Sequence, residues 1–224
     1  MDWATTTRLE QPWLLFLLPL GGFAVGLAYH HGGGGSHAGN NLILDEIHEP
    51  KSWIPRRMAP LVYLGTVVTQ LLGGSAGREG TAIQMSGSLT DWLNRAAKLP
   101  AAERRILLIA AIGGGFSAVF GVPAAGFVFG LEVQTLGNFR WRAVPATLVA
   151  AVVGNLVVGA TGVHHSDYPT IASGPIDVAL VAKVALAGVA FGLASVVFAE
   201  SVHRLKAQLG RLVAWPPLLS LIHI

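Results

Sequence analysis

At 224 residues, the chain is 52% hydrophobic but only 12% charged, and its mean hydropathy is +0.57. Water-soluble domains carry about a quarter charged residues, so half that density points to a chain solvated by lipid. A cysteine count of 0 excludes disulfides, thiol catalysis and cysteine-ligated metal, and a net charge of +3 without a long basic run argues against nucleic acid as a partner.

The chain opens on MDWATTTRLEQP, a polar stretch of mixed charge that reads as a linker and has no signal-peptide pattern. Residues 12–31 then supply the run of about 20 apolar residues that a membrane-spanning helix needs, stopped by Gly32 to Gly35. Residues 40–48 are too few to cross, and Asp45, Glu46 and Glu49 lie in or just beyond them. A second apolar segment, 58–74, ends in Gly73-Gly74 and feeds a loop, Ser75 to Gly80, before a helix-like run over 81–93. Residues 94–105 form a polar connector. The next apolar run, 106–120, is expected to break at Gly113-Gly114-Gly115, and Pro123 opens a short helix to residue 133.

Residues 143–163 and 177–200 read as two further spans, separated by the polar stretch HHSDYPTIASGP. Paired interrupted helices mark mid-membrane binding sites in transporters, and backbone that leaves the helix at that depth must line a cavity or be buried in protein. The predicted fold is all-α, a polytopic membrane bundle of tilted and broken transmembrane helices. Arginine and lysine fall on several connectors, so their distribution sets no orientation.

The sharpest chemical feature is GGSAGREGTAIQMSG, residues 73–87. An apolar helix runs into a glycine-rich loop, and Arg78-Glu79 stands where a new helix begins. A helix start offers unpaired N–H groups and a partial positive charge, so it can hold a dehydrated anion. Gly77 and Gly80 let backbone approach such an ion closely. A carboxylate at the same place is itself an anion suited to that pocket. Ionised Glu79 would therefore block the site, and protonated Glu79 would leave it. The plainer reading is an Arg78–Glu79 ion pair at the membrane boundary, but ionisable residues beside a broken helix are functional by default.

GSAGREGTAIQMSG resembles the GxGREGP loop of the CLC family of chloride channels and proton-coupled anion antiporters. Two further segments carry the likeness. GGFSAVFGVPAAGFVFGLEV, residues 114–133, is similar to that family's small-residue stretch ending in Glu-Glu, and Gly39-Asn40-Asn41-Leu42-Ile43 sits where the family has Gly-Ser-Gly-Ile-Pro. The resemblance covers residues 1–215 and implies most of a first inverted repeat plus the start of a second, with the initial helix and later half absent. It implies Glu79 as the gating and proton-coupling residue. Asn40, with Asn41, stands at the central anion site, and backbone N–H groups of Gly80 and Thr81 line the outer one. Gly77 and Arg78 support the loop. Two positions depart from the family: Thr81 replaces the loop's proline, and Val133 replaces the second glutamate, which carries internal proton transfer, leaving Glu132 as the remaining carboxylate for a proton path.

GNNLI together with GREGTAIQM looks more like the fluoride-exporting branch than the chloride branch. Fluoride is strongly hydrated, so its site must replace water with strong donors, and an Asn amide supplies them; the same amide also suits chloride. The resemblance further implies halide and protons as partners, a homodimer with one pore per subunit built through helices in 123–133 and 143–163, and a multi-pass protein of the bacterial inner membrane. No metal or organic cofactor is implied.

Other signals are weaker. His30, His31 and His37 flank a glycine run without a completing carboxylate, and His164-His165-Ser166-Asp167 has the same standing. Lys183 is expected to snorkel and Glu200 to sit at an interface. Residues 216–224 are expected to be an artefactual tail, because LSLIHI after Pro216-Pro217 reads as a translated transposon-end adapter. Three rival readings stay open: a chloride channel without proton coupling, a membrane-embedded enzyme, and a non-transporting membrane scaffold. The spans lack the Ser/His, paired-Asp or His/Glu constellation that an enzyme needs, and a scaffold has no use for Glu79 at a helix start. The chain alone is expected to be inactive.

Overall fold

The computed structural model describes residues 2–134, 139–163, 177–213 and 215–219, and among these it is built of α-helices and short 3-10 turns without strands. The polar opening is helical rather than a linker: α1 (Asp2–Glu10) packs on α4 (Met58–Leu71), and buried Ala4 anchors it. Tertiary packing here overrides weak local propensity. A 3-10 turn over Pro12–Leu17 runs into α2 (Leu18–Gly32). The switch falls at Pro19, which has no N–H to donate to the preceding turn. Together Pro12–Gly32 is long and apolar enough to cross a membrane, as are Trp141–Ala160 and Val178–Leu212.

The short helix α3 (Asn40–His48) spans the residues expected of it. The next element differs: α5 (Arg78–Ala96) begins three residues before the expected run. Gly77 is extended (φ −70°, ψ 139°) and stands just before the first turn, so Arg78, Glu79 and Gly80 belong to the helix and not to the loop. The polar connector shrinks to residues 97–100, because Asn94 and Arg104 are both buried in packing.

The helix α6 (Ala101–Phe120) passes unbroken through Gly113-Gly114-Gly115, against expectation. These glycines serve close approach rather than a kink, as small residues do between membrane helices. A Cβ on Gly113 would stand 2.7 Å from Thr147, one on Gly114 3.1 Å from the Ala150 carbonyl, and one on Gly115 2.6 Å from the Ser86 hydroxyl. Each glycine thus lets a different neighbour in. Thr147 and Ala150 lie on α8 (Val144–Ala160) and Ser86 on α5. The helix α7 (Pro123–Glu132) completes the surround, with Gly126 and Gly130 pressed against Gly113.

The core beneath joins Ile43, Ile47, Met58, Ile83, Leu108, Ile109 and Leu131, so α3, α4, α5, α6 and α7 share one apolar interior. α9 (Val178–Leu212) is longer than the expected 177–200 and buries no residue; Glu200 pairs with Arg204 at 2.8 Å on its exposed surface. α10 (Pro216–Leu219) returns to α2, where Trp215 meets Phe23 edge-on at 5.8 Å. The His164–Asp167 loop and residues 220–224 of the expected tail lie outside the described residues.

Candidate functional site

Two helix starts meet in this fold. Neither α3 nor α5 is capped by a side chain, so N–H groups of their first turns point out unpaired by the helix. Gly39, at φ 62° and ψ −133°, makes the sharp turn into α3, a conformation that side chains rarely adopt. The two starts approach closely. A Cβ on Gly80 would lie 3.3 Å from Asn40 Nδ2 and 3.8 Å from Gln84 Nε2, and one on Gly39 would lie 3.4 Å from Gln84 Nε2. The positive ends of two helices, an Asn amide and a Gln amide thus converge.

The Asn40 Oδ1 atom is buried without a hydrogen-bond partner. Asn41 is exposed beside it. A cavity of about 790 Å³ adjoins this junction, lined by Gly39, Ser75, Ala76 and Gln84 together with Tyr29 and His37.

Glu79 sits in the first turn of α5, exposed, with its carboxylate folded back towards the turn that precedes the helix. A Cβ on Gly77 would lie 2.8 Å from Glu79 Oε2. The plain Arg78–Glu79 ion pair is not formed among the described residues. Arg78 instead borders a second cavity with Arg8 and Gln70. Gln70 secures the loop by donating from Nε2 to the Ala76 carbonyl at 3.0 Å.

Thr81 turns its side chain inward. Its hydroxyl lies 2.8 Å from the Thr66 hydroxyl, and the two share a hydrogen bond in which one donates to the other while the second donates to a carbonyl of its own helix turn, Gly77 at 3.0 Å for Thr81 or Val62 at 2.8 Å for Thr66. The departure from proline therefore supplies a tie between the start of α5 and α4, and any ligand contact at Thr81 is left to its backbone. Glu132 and Val133 are exposed at the end of α7, and buried Gln134 follows them. Glu132 ends α7, which packs mainly on α6 and α8 rather than on α3 or α5.

Charge is organised differently away from the junction. On the connector after α3, exposed Lys51 lies 3.0 Å from Glu49; it holds that carboxyl below its usual range, and the carboxylate raises the ammonium in turn. Such an open pair contributes little to stability. The buried group is another matter. Arg104 donates from Nε and Nη2 to the two oxygens of Asp91 at 2.6 and 2.8 Å, and from Nη1 to Glu46 at 3.0 Å.

Sequence reading missed Gln84, Gln70 and this cluster. Gln84 was within reach, since it lies four residues after Gly80 and so shares its helix face. The Arg104 cluster joins positions 46, 91 and 104, and no local signal connects them.

The family model described as voltage gated chloride channel matches residues 21–224. A chloride/fluoride channel protein of Pseudomonas syringae pv. tomato is 48% identical over 218 residues, covering 97% of this chain and 48% of that protein. An H(+)/Cl(-) exchange transporter, ClcA, of Cronobacter sakazakii is 27% identical over 173 residues, covering 69% of this chain and 36% of that one. A crystal structure of a CLC-type fluoride/proton antiporter superposes with a TM-score of 0.89 at 28% identity, over 97% of this chain and 55% of that chain. The chain thus spans between about a third and just over half of the length of these relatives.

Proposed function

This chain belongs to the voltage gated chloride channel family, and on that premise we propose that it forms one half of a proton-coupled halide transporter, with Glu79 as the gate. The observation that carries the proposal is the meeting of two uncapped helix starts at Asn40 and Gly80, with the carboxylate-bearing Glu79 one residue before Gly80 in the first turn of α5. Uncapped amides and an Asn amide offer a halide the donors it loses with its water shell. A carboxylate in the same place competes for those donors when ionised and gives them up when it takes a proton.

Fluoride is the favoured cargo and chloride the alternative. The Asn40 amide supports fluoride, as do the relatives described as a chloride/fluoride channel and a fluoride/proton antiporter. The remaining donors come from a second repeat outside this chain. Asn41, Gly80 and Thr81 contribute through the backbone of the two first turns, Gly77 leaves room for the carboxylate, and Arg78 holds the loop from its outer side. Glu132 is the carboxylate retained for proton delivery from within. The transporter works as a homodimer in a bacterial plasma membrane, joined through the outward faces of α7 and α8, where Val128, Val149, Val153 and Leu156 are exposed.

One observation favours a chloride channel without coupling as the second reading: Val133 stands where proton transfer would use a carboxylate. A proteoliposome flux measurement on the full-length protein tests the proposal. Halide efflux that drives proton uptake supports it. Efflux that moves no protons supports the channel, and no halide movement refutes both.

A further inference from the structure

Arg104 is the cationic centre of a buried assembly. Arg104 is 5% exposed, and it serves the carboxylates of two residues that are themselves buried, Glu46 at 3% and Asp91 at 1%. One edge of the fork grips Asp91, Nη1 reaches Glu46, and Nη2 also donates to the Ser52 carbonyl at 2.8 Å. Trp53 lies across the guanidinium, 4.6 Å from ring centre to Cζ. The carboxylates are otherwise occupied by backbone: Glu46 accepts from the N–H groups of Lys51 and Ser52, and Asp91 from that of Ile54. Carboxylates so fully engaged, with a cation between them, are fixed in place by charge-assisted hydrogen bonds. They suit a clamp.

What the clamp holds is decided by where its parts lie. Glu46 is near the end of α3, six residues from Asn40; Asp91 is on α5, eleven residues from Gly80; Arg104 is in the first turns of α6. α3 therefore meets α5 at two levels: at its start, where Asn40 faces Gly80, and near its end, where Glu46 and Asp91 share one arginine. Between these levels Ile43 presses against Gly87. A nine-residue helix fixed at one end pivots with little resistance, whereas fixing both ends sets its direction.

We propose that Arg104 is a positioning residue for the halide site, tying the far ends of α3 and α5 so that Asn40 and Gly80 stay opposed. The proposal rests on the halide reading for its functional consequence, but its structural part can be read independently of transport. Without Arg104, two buried carboxylates face each other with no counter-charge and α3 swings from α5.

The test uses the geometry between the two levels. A Cβ on Gly87 would lie 3.2 Å from Ile43 Cγ1, the separation at which a sulfur at that position can bond to a second thiol. This chain has 0 cysteines, so Ile43→Cys with Gly87→Cys reports the α3–α5 distance, with the single-cysteine variants as background. In the full-length protein, Arg104→Met is expected to slow oxidative cross-linking roughly ten-fold and to raise the half-saturating halide concentration by a similar factor.

A second readout is removal of the carboxylates. Relative to the pair without the Arg104 change, cross-linking in the R104M protein is expected to recover when Glu46→Gln and Asp91→Asn take away the unpaired buried charges. Loss of fold alone would not recover this way. The other charges near them do not take the place of Arg104: Arg56, Arg57 and Arg95 border a cavity with Asp91 without bonding it, Arg105 donates to His48, Lys51 pairs with Glu49, and Asp45 and Glu103 are exposed.

Where R104M yields no folded protein, Arg104→Lys keeps the charge but loses the fork, and is expected to slow the cross-link about three-fold. Wild-type cross-linking rates in R104M, or in R104K where only that folds, overturn the clamp. If the unmodified protein moves no halide, the transport reading fails, and the cross-linking arm still decides whether Arg104 holds α3.

Discussion

Asn40 and Gly80 face each other across two helix starts, the Asn40 Nδ2 atom standing 3.3 Å from the point a Cβ on Gly80 would occupy. The first turn of α5 can therefore carry no side chain on that face without moving the amide. This separates a helix's own preference from the demands of a site. An alanine at position 80 favours the helix by up to about 1 kcal/mol and still intrudes on Asn40.

Gly80→Ala should leave thermal stability unchanged or slightly raised while weakening halide use. The expected rise in half-saturating halide is about ten-fold, equivalent to about 1.4 kcal/mol. Flux titration beside a melting curve measures both. A fall in stability with unchanged halide affinity would mean that the close approach serves packing alone.

Asn40→Ser should shift preference from fluoride towards chloride. The substitution exchanges an amide with two N–H donors for a single hydroxyl, and one donor to an anion is worth roughly 1.5–3 kcal/mol, or more than ten-fold in selectivity. Competing efflux of the two halides from the same vesicles reads the ratio. An unaltered ratio removes Asn40 from the site.

Gly126→Ala tests the glycine packing around α6. The added methyl would lie 2.7 Å from the Gly113 carbonyl and 2.8 Å from the Ser117 Cβ, so backbone must move. Overpacking of this kind costs about 1–3 kcal/mol. A melting temperature several degrees lower in detergent is the expected result, with halide preference retained in the protein that remains folded.

Much of this molecule was legible in its sequence because helix-forming runs and their interruptions are local. Residues 40–48 form the short helix expected of them, and the spans at 12–31 and 143–163 are placed within a few residues. The Arg-Glu pair at a helix start was readable for the same reason. Gly113-Gly114-Gly115 misled because a glycine in isolation signals flexibility, whereas here Thr147, Ala150 and Ser86 occupy the space that its missing side chains leave. The start of α5 was read late because Arg78 and Glu79 are polar, while the extended backbone of Gly77 sets the boundary. Arg104 was passed over as one more basic residue on a connector. Its two partners lie 13 and 58 residues away along the chain, and only the fold brings them together.

The most direct test of the gate is fluoride-driven proton uptake by vesicles holding the full-length protein, measured side by side for wild type and Glu79→Ala. Proton uptake in the wild type, lost in the variant while fluoride still leaks, is the predicted outcome. Equal proton uptake per fluoride in both proteins would contradict it, since the carboxylate at position 79 would then neither carry the proton nor compete with the ion.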